Sequence, residues 1–306
     1  MAMASVLLTP AAQAQSPINV LTGGESGVYY PLGVTIAKIY ADIPGTKVQV
    51  ETTAGSVENL NRLQQGSGQI AFALGDSLRD AWEGDADAGF KGKLDQLRVI
   101  GALYPNTIQI VAARASNIAT LADLKGKSLS VGAPKSGTEL NARAILAAAG
   151  LSYADLRAVE YLSFAESTTR MNKQQLDAAL QSAGLGVVSL RELSDATDVV
   201  LVPVPRDVVA KLGAPFQPGV IPANTYQGQD KDIPSAMVMN YLVTSAAVSD
   251  DLAYQMTRLV FDSLPELATA HFVGSEIRRE TAAEGGPVPL HPGAIRYYKE
   301  KGLMKR

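Results

Sequence analysis

The sequence predicts an α/β protein of two lobes with a ligand cleft between them. Along the 306 residues, short apolar runs alternate with amphipathic stretches, a pattern typical of parallel strands joined by helices. A long β-branched stretch from Leu97 to Arg114 is interrupted by Pro105, so we interpret it as two strands end to end that pass from one lobe to the other. A return strand is expected from Ser235, which gives two crossing strands.

The first lobe is predicted to open with two strand–helix units and a third strand. A strand at 18–24 ends in glycines, and the helix after it has apolar residues three or four apart on one face. These residues are Val28, Leu32, Ile36 and Ile39. The second unit joins a strand at 46–55 to a helix at 56–66, and the third strand is expected at 68–76.

The same alternation restarts in the second lobe and then returns to the first. The expected strands lie at 127–134, 156–163, within 165–182 and at 198–205, and the expected helices lie at 139–150, within 165–182 and at 187–195. A loop rich in Pro and Gly, 213–234, precedes the return strand, and Ser249 is the expected cap of a final helix. The predicted organisation is 15–106 plus 234–306 for the first lobe and 107–233 for the second.

The composition excludes several kinds of function. A net charge of −3 gives no support for a nucleic-acid partner, and no apolar run is long enough for direct membrane insertion. With no cysteine, the chain has no disulfide, thiolate nucleophile or cysteine-based metal site. The two histidines, His271 and His291, lie outside every glycine-rich loop. We therefore expect no catalytic residue, no metal and no cofactor, and a protein that is not an enzyme.

The N-terminus favours export from the cytoplasm. A short apolar run ends in Ala12-Gln13-Ala14, which is similar to a signal-peptide cleavage site, although the usual positive charges before it are missing. We interpret 1–14 as a signal-peptide remnant and expect a periplasmic protein whose mature chain begins near Gln15. The alternative is an unstructured Ala-rich terminus without a targeting role.

Three strand-to-helix junctions, at 22–30, 52–59 and 132–139, combine glycines with hydroxyl side chains. Gly132 and Gly137 have the glycine spacing of a phosphate-binding loop, but Thr138 stands where that loop needs lysine. Helix N-termini attract anions, and such junctions gather at one edge of a parallel sheet. The three junctions therefore indicate a small anionic ligand, whereas each one alone could be only a well-capped turn.

At these residues the chain resembles the TAXI family, the extracytoplasmic receptors of TRAP transporters. The resemblance rests on "TGGESGVYYPLG", "TTAGSVENLNRLQQG", "IAFALGDSLRDAWEG" and "LADLKGKSLSVGAPKSGTELNAR". It implies a type II periplasmic-binding-protein fold, in which two α/β lobes joined by two hinge strands close on the ligand. It also implies delivery of a small carboxylate or amino acid, with glutamate, glutamine and 2-oxoglutarate leading, to sodium-coupled TRAP membrane subunits. The receptor is expected to be a monomer.

The resemblance also implies which residues contact the ligand. The loop with Ser136, Gly137 and Thr138 would bind the ligand carboxylate, and Asp76 marks a changed amine or keto contact. Within 178–186 the family's aromatic run is missing, so the ligand is expected to be larger or differently substituted. The candidate ligand-binding residues are Gly24, Tyr29, Ser56, Asn59, Gly75, Asp76, Ser136, Gly137, Thr138 and Gln181.

Three other functions stay open. The same fold could serve an ABC importer for a small anionic or aromatic compound. An enzyme on a similar scaffold would need a titrating group in the cleft, for which Asp76 and Glu25 are the candidates. A cytoplasmic effector-sensing domain is disfavoured by the leader. Three arginines, Arg79, Arg143 and Arg170, are expected to be ordinary helix-surface charges.

Overall fold

A computed structural model describes residues 17–284 and 286–305, so the expected leader lies outside the described residues. The described part contains ten strands and ten α-helices. The strands are Ile18–Leu21 (β1), Val48–Glu51 (β2), Ile70–Leu74 (β3), Leu97–Ala113 (β4), Ser128–Ser130 (β5), Ala158–Glu160 (β6), Ala178–Ala183 (β7), Val199–Val202 (β8), Gln217–Ile221 (β9) and Ile233–Ser245 (β10). The helices are Tyr29–Tyr40 (α1), Ser56–Gln64 (α2), Gly75–Glu83 (α3), Gly137–Ala148 (α4), Phe164–Asn172 (α5), Val188–Ala196 (α6), Arg206–Leu212 (α7), Asp250–Asp262 (α8), Leu264–Ala270 (α9) and Pro292–Glu300 (α10).

The strands form one continuous mixed sheet. Their order is β2-β1-β3-β10-β4-β7-β5-β6, with β8 beside β4 and β9 beside β10. The predicted parallel units are confirmed at both flanks, where β1 runs parallel to β2 and β3, and β5 runs parallel to β6 and β7. At the centre β10 is antiparallel to β3 and β4, because a chain that returns from the second lobe reverses its direction.

The strand β4 is continuous over 17 residues, so the prediction of two strands end to end is wrong. Pro105 cannot donate a backbone hydrogen bond, and the sheet accommodates it with a local irregularity. Met239 of β10 pairs with Pro105, whereas Tyr241 pairs with Ala102, so the register shifts between them. The early part of β4 pairs with β10, and its later part pairs with β7 and β8.

The predicted lobe boundaries, 15–106 plus 234–306 and 107–233, fall at β4 and β10, and they stay a prediction. Below, the first lobe and the second lobe refer to these ranges. The two strands β4 and β10 carry the polypeptide between them, and each contributes to the sheet on both sides of the boundary.

Apolar side chains are buried on both faces of the sheet. In the first lobe, Leu32 and Ile36 on the apolar face of α1 are buried as predicted, and α2 and α3 bury Leu60 and Leu78 on the other face. In the second lobe Ile145 of α4 joins a separate buried cluster. Each such side chain contributes about 1.5–3 kcal/mol when it leaves water, so the helices are fixed on the sheet by this burial.

Five elements were not predicted, namely α3, α7, β9, α9 and α10. The strand β9 lies inside the expected loop 213–234 and contains Pro218, which is tolerated because β9 is an edge strand beside β10. The helix α10 begins at Pro292, and the His291 ring accepts a hydrogen bond from the Gly293 N–H at 3.1 Å. The predicted cap of α8 is confirmed, since the Leu252 N–H donates to the Ser249 hydroxyl at 3.3 Å.

Candidate functional site

The loops that follow β1, β2, β5 and β6 all reach one cavity of about 100 Å³. Both lobes contribute to its walls, and the end of β7 and the middle of β4 complete them. This is the edge of the sheet at which ligands bind in open α/β proteins. The cavity therefore lies in the cleft that the sequence predicts.

Hydroxyl groups dominate the polar part of the cavity wall. They belong to Ser26, Thr53, Ser56, Ser136, Thr138, Ser163 and Ser182. Asn106 adds an amide, and Tyr29 and Tyr104 add phenols. Among the described lining residues there is no Asp, Glu, Lys, Arg or His. A ligand in this cavity is therefore bound by neutral groups.

Four helices begin at the cavity wall, and their dipoles make it attractive to anions. The first residues of α1, α2, α4 and α5 are Tyr29, Ser56, Gly137 and Phe164, and all four line the cavity. The N-terminus of each helix carries about half a positive charge together with N–H groups that have no partner inside the helix. An anion can thus be stabilised here without a basic side chain.

The start of α4 shows how the sequence builds one such wall. The Ser136 hydroxyl accepts a hydrogen bond from the Glu139 N–H at 3.1 Å, so Ser136 is the N-cap of α4. The Glu139 carboxylate makes other contacts instead of completing a capping box. Arg143 donates to both Glu139 oxygens, at 2.9 and 2.8 Å, and the Tyr153 hydroxyl donates at 2.8 Å.

Two glycines permit the close approach of the lobes. Gly55, just before α2, has φ of 119°, a backbone conformation that favours glycine. A Cβ atom added at Gly137 would lie 2.7 Å from Leu74 Cδ1, 2.8 Å from Ser56 Oγ and 2.9 Å from Ser77 Oγ. These three atoms belong to the first lobe, so a side chain at Gly137 would separate the two lobes.

Aromatic rings form the apolar part of the wall. Tyr29 stacks on Phe72 with ring centroids 4.9 Å apart, and its hydroxyl donates a hydrogen bond to the side-chain oxygen Oδ1 of Asn240. The Asn240 side-chain N–H in turn donates to the Tyr104 backbone oxygen at 3.0 Å. Burial raises the pKa of Tyr29 and of Tyr104 above the ordinary value, so both rings stay neutral. Phe164 closes the wall from the second lobe.

Of the ten candidate residues, six line the cavity: Gly24, Tyr29, Ser56, Ser136, Gly137 and Thr138. Asn59 does not, because its side chain holds neighbouring loops together. The Asn59 amide donates to the backbone oxygens of Thr22 and Phe72 at 2.7 and 2.9 Å, and its oxygen accepts from the Thr53 hydroxyl at 2.7 Å. Gly75 lies against Tyr241, since an added Cβ would be 3.0 Å from that ring.

Asp76 and Gln181 also lie behind the cavity wall. The Gln181 oxygen accepts from the Ser189 hydroxyl at 2.7 Å, inside the second lobe. Asp76 is buried at 2% exposure, and its Oδ2 accepts from Asn141 Nδ2 at 2.6 Å. Burial raises the pKa of Asp76 from 3.8 to about 7. The structure thus places these two side chains among protein groups, without a face on the cavity.

The two lobes touch at several points outside the cavity. The Glu58 N–H donates to the Lys135 backbone oxygen at 3.1 Å. Arg79 donates to the Ala214 oxygen at 2.7 Å, and Arg143 donates to the Asp87 oxygen at 2.6 Å. Arg79 and Arg143 therefore join the lobes instead of being ordinary surface charges. The described arrangement is the closed one.

Several residues that line the cavity are not among the predicted ligand-binding residues. Ser163 begins a fourth junction, and its hydroxyl exchanges hydrogen bonds with Glu166 in a capping box that the spacing S-x-x-E could have indicated. Ser182 lines the cavity and lies in the run 178–186, next to Gln181, the ligand-binding residue that is predicted there. No local sequence pattern indicates Asn106, because its position at the cavity depends on where the long strand β4 runs in the folded sheet.

Two classes of feature are missing from the described residues. Within 17–284 and 286–305 there is no group of three or more His, Cys, Asp or Glu side chains that could hold a metal ion. In the same part of the chain, none of the helices combines the length and the apolar character needed to cross a bilayer.

Comparisons with known proteins agree with this architecture. A family model described as "NMT1-like family" matches residues 20–302. The methylphosphonate complex of PhnD1 from Prochlorococcus marinus is similar over 94% of this chain and 98% of its own, with a TM-score of 0.61 at 10% identity. The alkanesulfonate-binding protein of Xanthomonas axonopodis pv. citri, bound to MOPS, is similar over 96% of both chains, with a TM-score of 0.52 at 17% identity.

A third structure, a binding-protein component of an ABC phosphonate transporter of Pseudomonas aeruginosa, is similar over 85% of this chain and 79% of its own. Its TM-score is 0.55 and its identity is 12%. At such low identities the likeness concerns the fold. It confirms the predicted fold class, the two-lobed α/β architecture of periplasmic binding proteins.

Proposed function

The chain belongs to the NMT1-like family, and from that premise we propose that it is a solute-binding receptor that captures a small organic anion outside the cytoplasm. The observation that carries this proposal is the neutral cavity between the lobes, at which four helices begin. Their N-termini and the surrounding hydroxyls replace the water around a bound anion. The ligand then stabilises the closed arrangement because it contacts both lobes at once.

Binding without chemical turnover is the second part of the proposal. General acid–base catalysis needs a group that titrates near the working pH and reaches the reacting atom. The described lining contains two titratable side chains, Tyr29 and Tyr104, and burial raises the pKa of both above the ordinary value. Asp76 titrates closer to neutrality but does not line the cavity. This distribution supports capture and release.

The ligand class follows from the two kinds of wall. The helix N-termini fit one compact anionic group, and the rings of Tyr29, Tyr104 and Phe164 fit an apolar body of limited size. Carboxylate, sulfonate and phosphonate groups all accept hydrogen bonds from such donors. One similar structure is an alkanesulfonate-binding protein bound to MOPS, and another is a complex with methylphosphonate; both support a sulfonate or phosphonate as the ligand. The resemblance to the TAXI family supports a carboxylate.

Two membrane partners are candidates. An ABC importer is favoured by the similar structure whose name includes an ABC phosphonate transporter. A sodium-coupled TRAP transporter is favoured by the sequence resemblance alone, and it is our second candidate. In either case the receptor works in the periplasm, which the Ala12-Gln13-Ala14 sequence and the fold of the similar periplasmic proteins support.

A thermal-shift panel of alkanesulfonates, phosphonates, monocarboxylates and dicarboxylates tests the receptor proposal, with the uncharged amide of each carboxylate as a matched control. A ligand at about 100 times its Kd adds about 2.7 kcal/mol to the free energy of unfolding. We expect one anion class to raise Tm, the matched amides to have no effect, and the ligand to be recovered unchanged. A flat panel, or a converted ligand, would reject the proposal.

The membrane partner is tested by uptake of the identified ligand into sealed, right-side-out vesicles of the host membrane, with the receptor added outside. Uptake through an ABC importer requires ATP inside the vesicle and is indifferent to sodium. Uptake through a TRAP transporter requires an inward sodium gradient and continues without ATP. Uptake that depends on ATP would contradict a TRAP transporter, and uptake that depends on the sodium gradient would contradict an ABC importer.

A further inference from the structure

A buried polar chain crosses the cleft behind the cavity. Asn141 of α4 donates from Nδ2 to Asp76 Oδ2 of α3 at 2.6 Å, and the Ser182 hydroxyl donates to Asn141 Oδ1 at 2.7 Å. The Asn106 amide then donates to the Ser182 backbone oxygen at 3.0 Å. Asp76 belongs to the first lobe, whereas Asn141 belongs to the second.

This chain connects the inter-lobe contact to the cavity wall. Ser182 and Asn106 both line the cavity, and Asn141 is held at both ends of its amide. Asn141 is fully buried and Asp76 is 2% exposed. Separation of the lobes would therefore break the Asp76–Asn141 hydrogen bond and return the carboxyl group to water.

We propose that Asp76 and Asn141 form an inter-lobe latch, and that closing this latch takes up one proton from solvent on the Asp76 carboxylate. The inference rests on the proposed function only in that the closed arrangement is the one that binds ligand. In the closed protein Asp76 Oδ2 accepts the Asn141 hydrogen bond, which leaves Oδ1 as the oxygen available to take up the proton.

The groups around Asp76 determine how strongly it holds this proton. Burial is the largest effect and raises the pKa of Asp76 to about 7. On α3 itself Asp80 raises this pKa, whereas Arg79 and the backbone N–H of Ser77 lower it. The other elements packed nearby present neutral groups. These are Tyr29 of α1 and Asn141 of α4.

The sign of the coupling follows from the two arrangements. A carboxyl group returned to water has the ordinary pKa of 3.8, and in the closed protein the pKa of Asp76 is about 7. The closed arrangement thus binds more protons between these values, so closure weakens as pH rises from about 4 to about 7 and changes little at higher pH. The Kd of a ligand that binds the closed arrangement is expected to rise about tenfold between about pH 6 and pH 8, because the closed protein loses the Asp76 proton over this range.

The test uses the full chain without ligand, so that it does not depend on the receptor proposal. Since the chain has no cysteine, Lys91→Cys and Lys211→Cys introduce two unique labelling sites, one exposed residue on each lobe, for a fluorescence energy-transfer pair. We expect the closed fraction to fall between pH 6 and pH 8. In Asp76→Asn, whose amide oxygen still accepts from Asn141, the closed fraction is expected to be high at both pH values.

Asp42→Asn is the matched control, because Asp42 is an exposed carboxylate of the first lobe that takes no part in the contacts between the lobes described above. It is expected to keep the pH response of the wild type. An Asp76→Asn variant that responds to pH like the wild type would overturn the proposal. A second readout is an NMR titration of the Asp76 carboxyl carbon in the wild type. If the midpoint lies near the ordinary pKa of 3.8 while energy transfer shows that the molecules are closed, the proposal is also overturned. Absence of ligand binding would leave both readouts intact and would count against the receptor proposal alone.

Discussion

Each polar contact available in the cavity is made by a neutral group, so ligand affinity depends on the direction of individual N–H and O–H bonds. Thr138 illustrates this at the level of one residue. It is 6% exposed, lines the cavity, and stands in the first turn of α4, next to the N–H groups of that helix. A hydroxyl in this position contributes a directed donor without the desolvation penalty of a charged side chain.

Thr138→Val removes this hydroxyl and keeps the shape of the side chain. We expect ligand binding to weaken by roughly 1–3 kcal/mol, since a buried ligand oxygen loses its partner. The matched control is Thr169→Val, because Thr169 is an exposed residue of α5 away from the cavity lining. Isothermal titration calorimetry measures both variants. Equal affinities of the two variants would exclude a contact of the Thr138 hydroxyl with the ligand.

Gly137→Ala tests the close approach of the lobes. The added Cβ would lie within 2.9 Å of three first-lobe side-chain atoms, and such overpacking costs about 1–3 kcal/mol. Because the lobes can separate to relieve it, we expect a loss of ligand affinity with a nearly unchanged Tm of the ligand-free protein. Gly92→Ala is the control, since a Cβ at Gly92 meets no atom within 4 Å. A lower ligand-free Tm with unchanged affinity would contradict this expectation.

The sequence identified part of the site for a clear physical reason. A glycine and a hydroxyl at a strand-to-helix junction are local signals, and so Ser56 and Ser136 could be found. Asn141 could not, because its partner Asp76 is 65 residues away in the chain and the contact exists only once the lobes meet. The predicted ligand-binding residue Gln181 lies in the correct run, 178–186. Its neighbour Ser182 lines the cavity instead, because adjacent strand residues point to opposite sides of the sheet.

At the level of elements, α4 depends on its cap in the same way as α8, but only α4 begins at the cavity. The Ser136 and Ser249 hydroxyls each accept a hydrogen bond from the third helical N–H. Ser136→Ala and Ser249→Ala are each expected to lower the free energy of unfolding by about 1 kcal/mol. Only Ser136→Ala is expected also to weaken ligand binding, because it loosens the N–H groups that face the anion. Urea unfolding and calorimetry separate the two effects, and an equal loss of affinity in Ser249→Ala would contradict the assignment.

Elements with a strong apolar period were predictable, and those defined by their neighbours were not. The helix α1 is an example of the first kind, since its spacing of Leu32 and Ile36 shows the buried face directly. The strand β9 is an example of the second, because its Pro218 and Gly219 indicate a loop until β10 provides a partner. The continuity of β4 through Pro105 likewise depends on the register shift in β10, which no local pattern shows.

At the level of the whole molecule, stability and closure share one titrating group. The pKa of Asp76 is about 7 in the folded closed protein and ordinary, 3.8, in the unfolded chain. Because the folded state binds the extra proton, this group lowers the free energy of unfolding as pH rises from about 4 to 7, and the loss persists above 7.

Asp76→Asn removes that pH dependence. We expect the variant to be more stable than the wild type at pH 8, by at most a few kcal/mol because opening of the lobes relieves part of the cost, and the difference to shrink toward pH 4. Urea unfolding at pH 4, 6 and 8 measures it, with Asp42→Asn, which removes an exposed carboxylate of the first lobe, as the control. A stability difference that is the same at all three pH values would show that Asp76 does not titrate in this range.

The register shift where β10 passes Pro105 also has a mechanical meaning. Two paired strands resist stretching and sliding, because each such motion would break the ladder of hydrogen bonds along their whole length. Bending is easier at the shift between Met239 and Tyr241, where the ladder is already irregular and Pro105 has no N–H to contribute. If the two ends of the sheet move relative to each other, we therefore expect β4 and β10 to bend at this irregularity, where the motion breaks the fewest hydrogen bonds of the ladder.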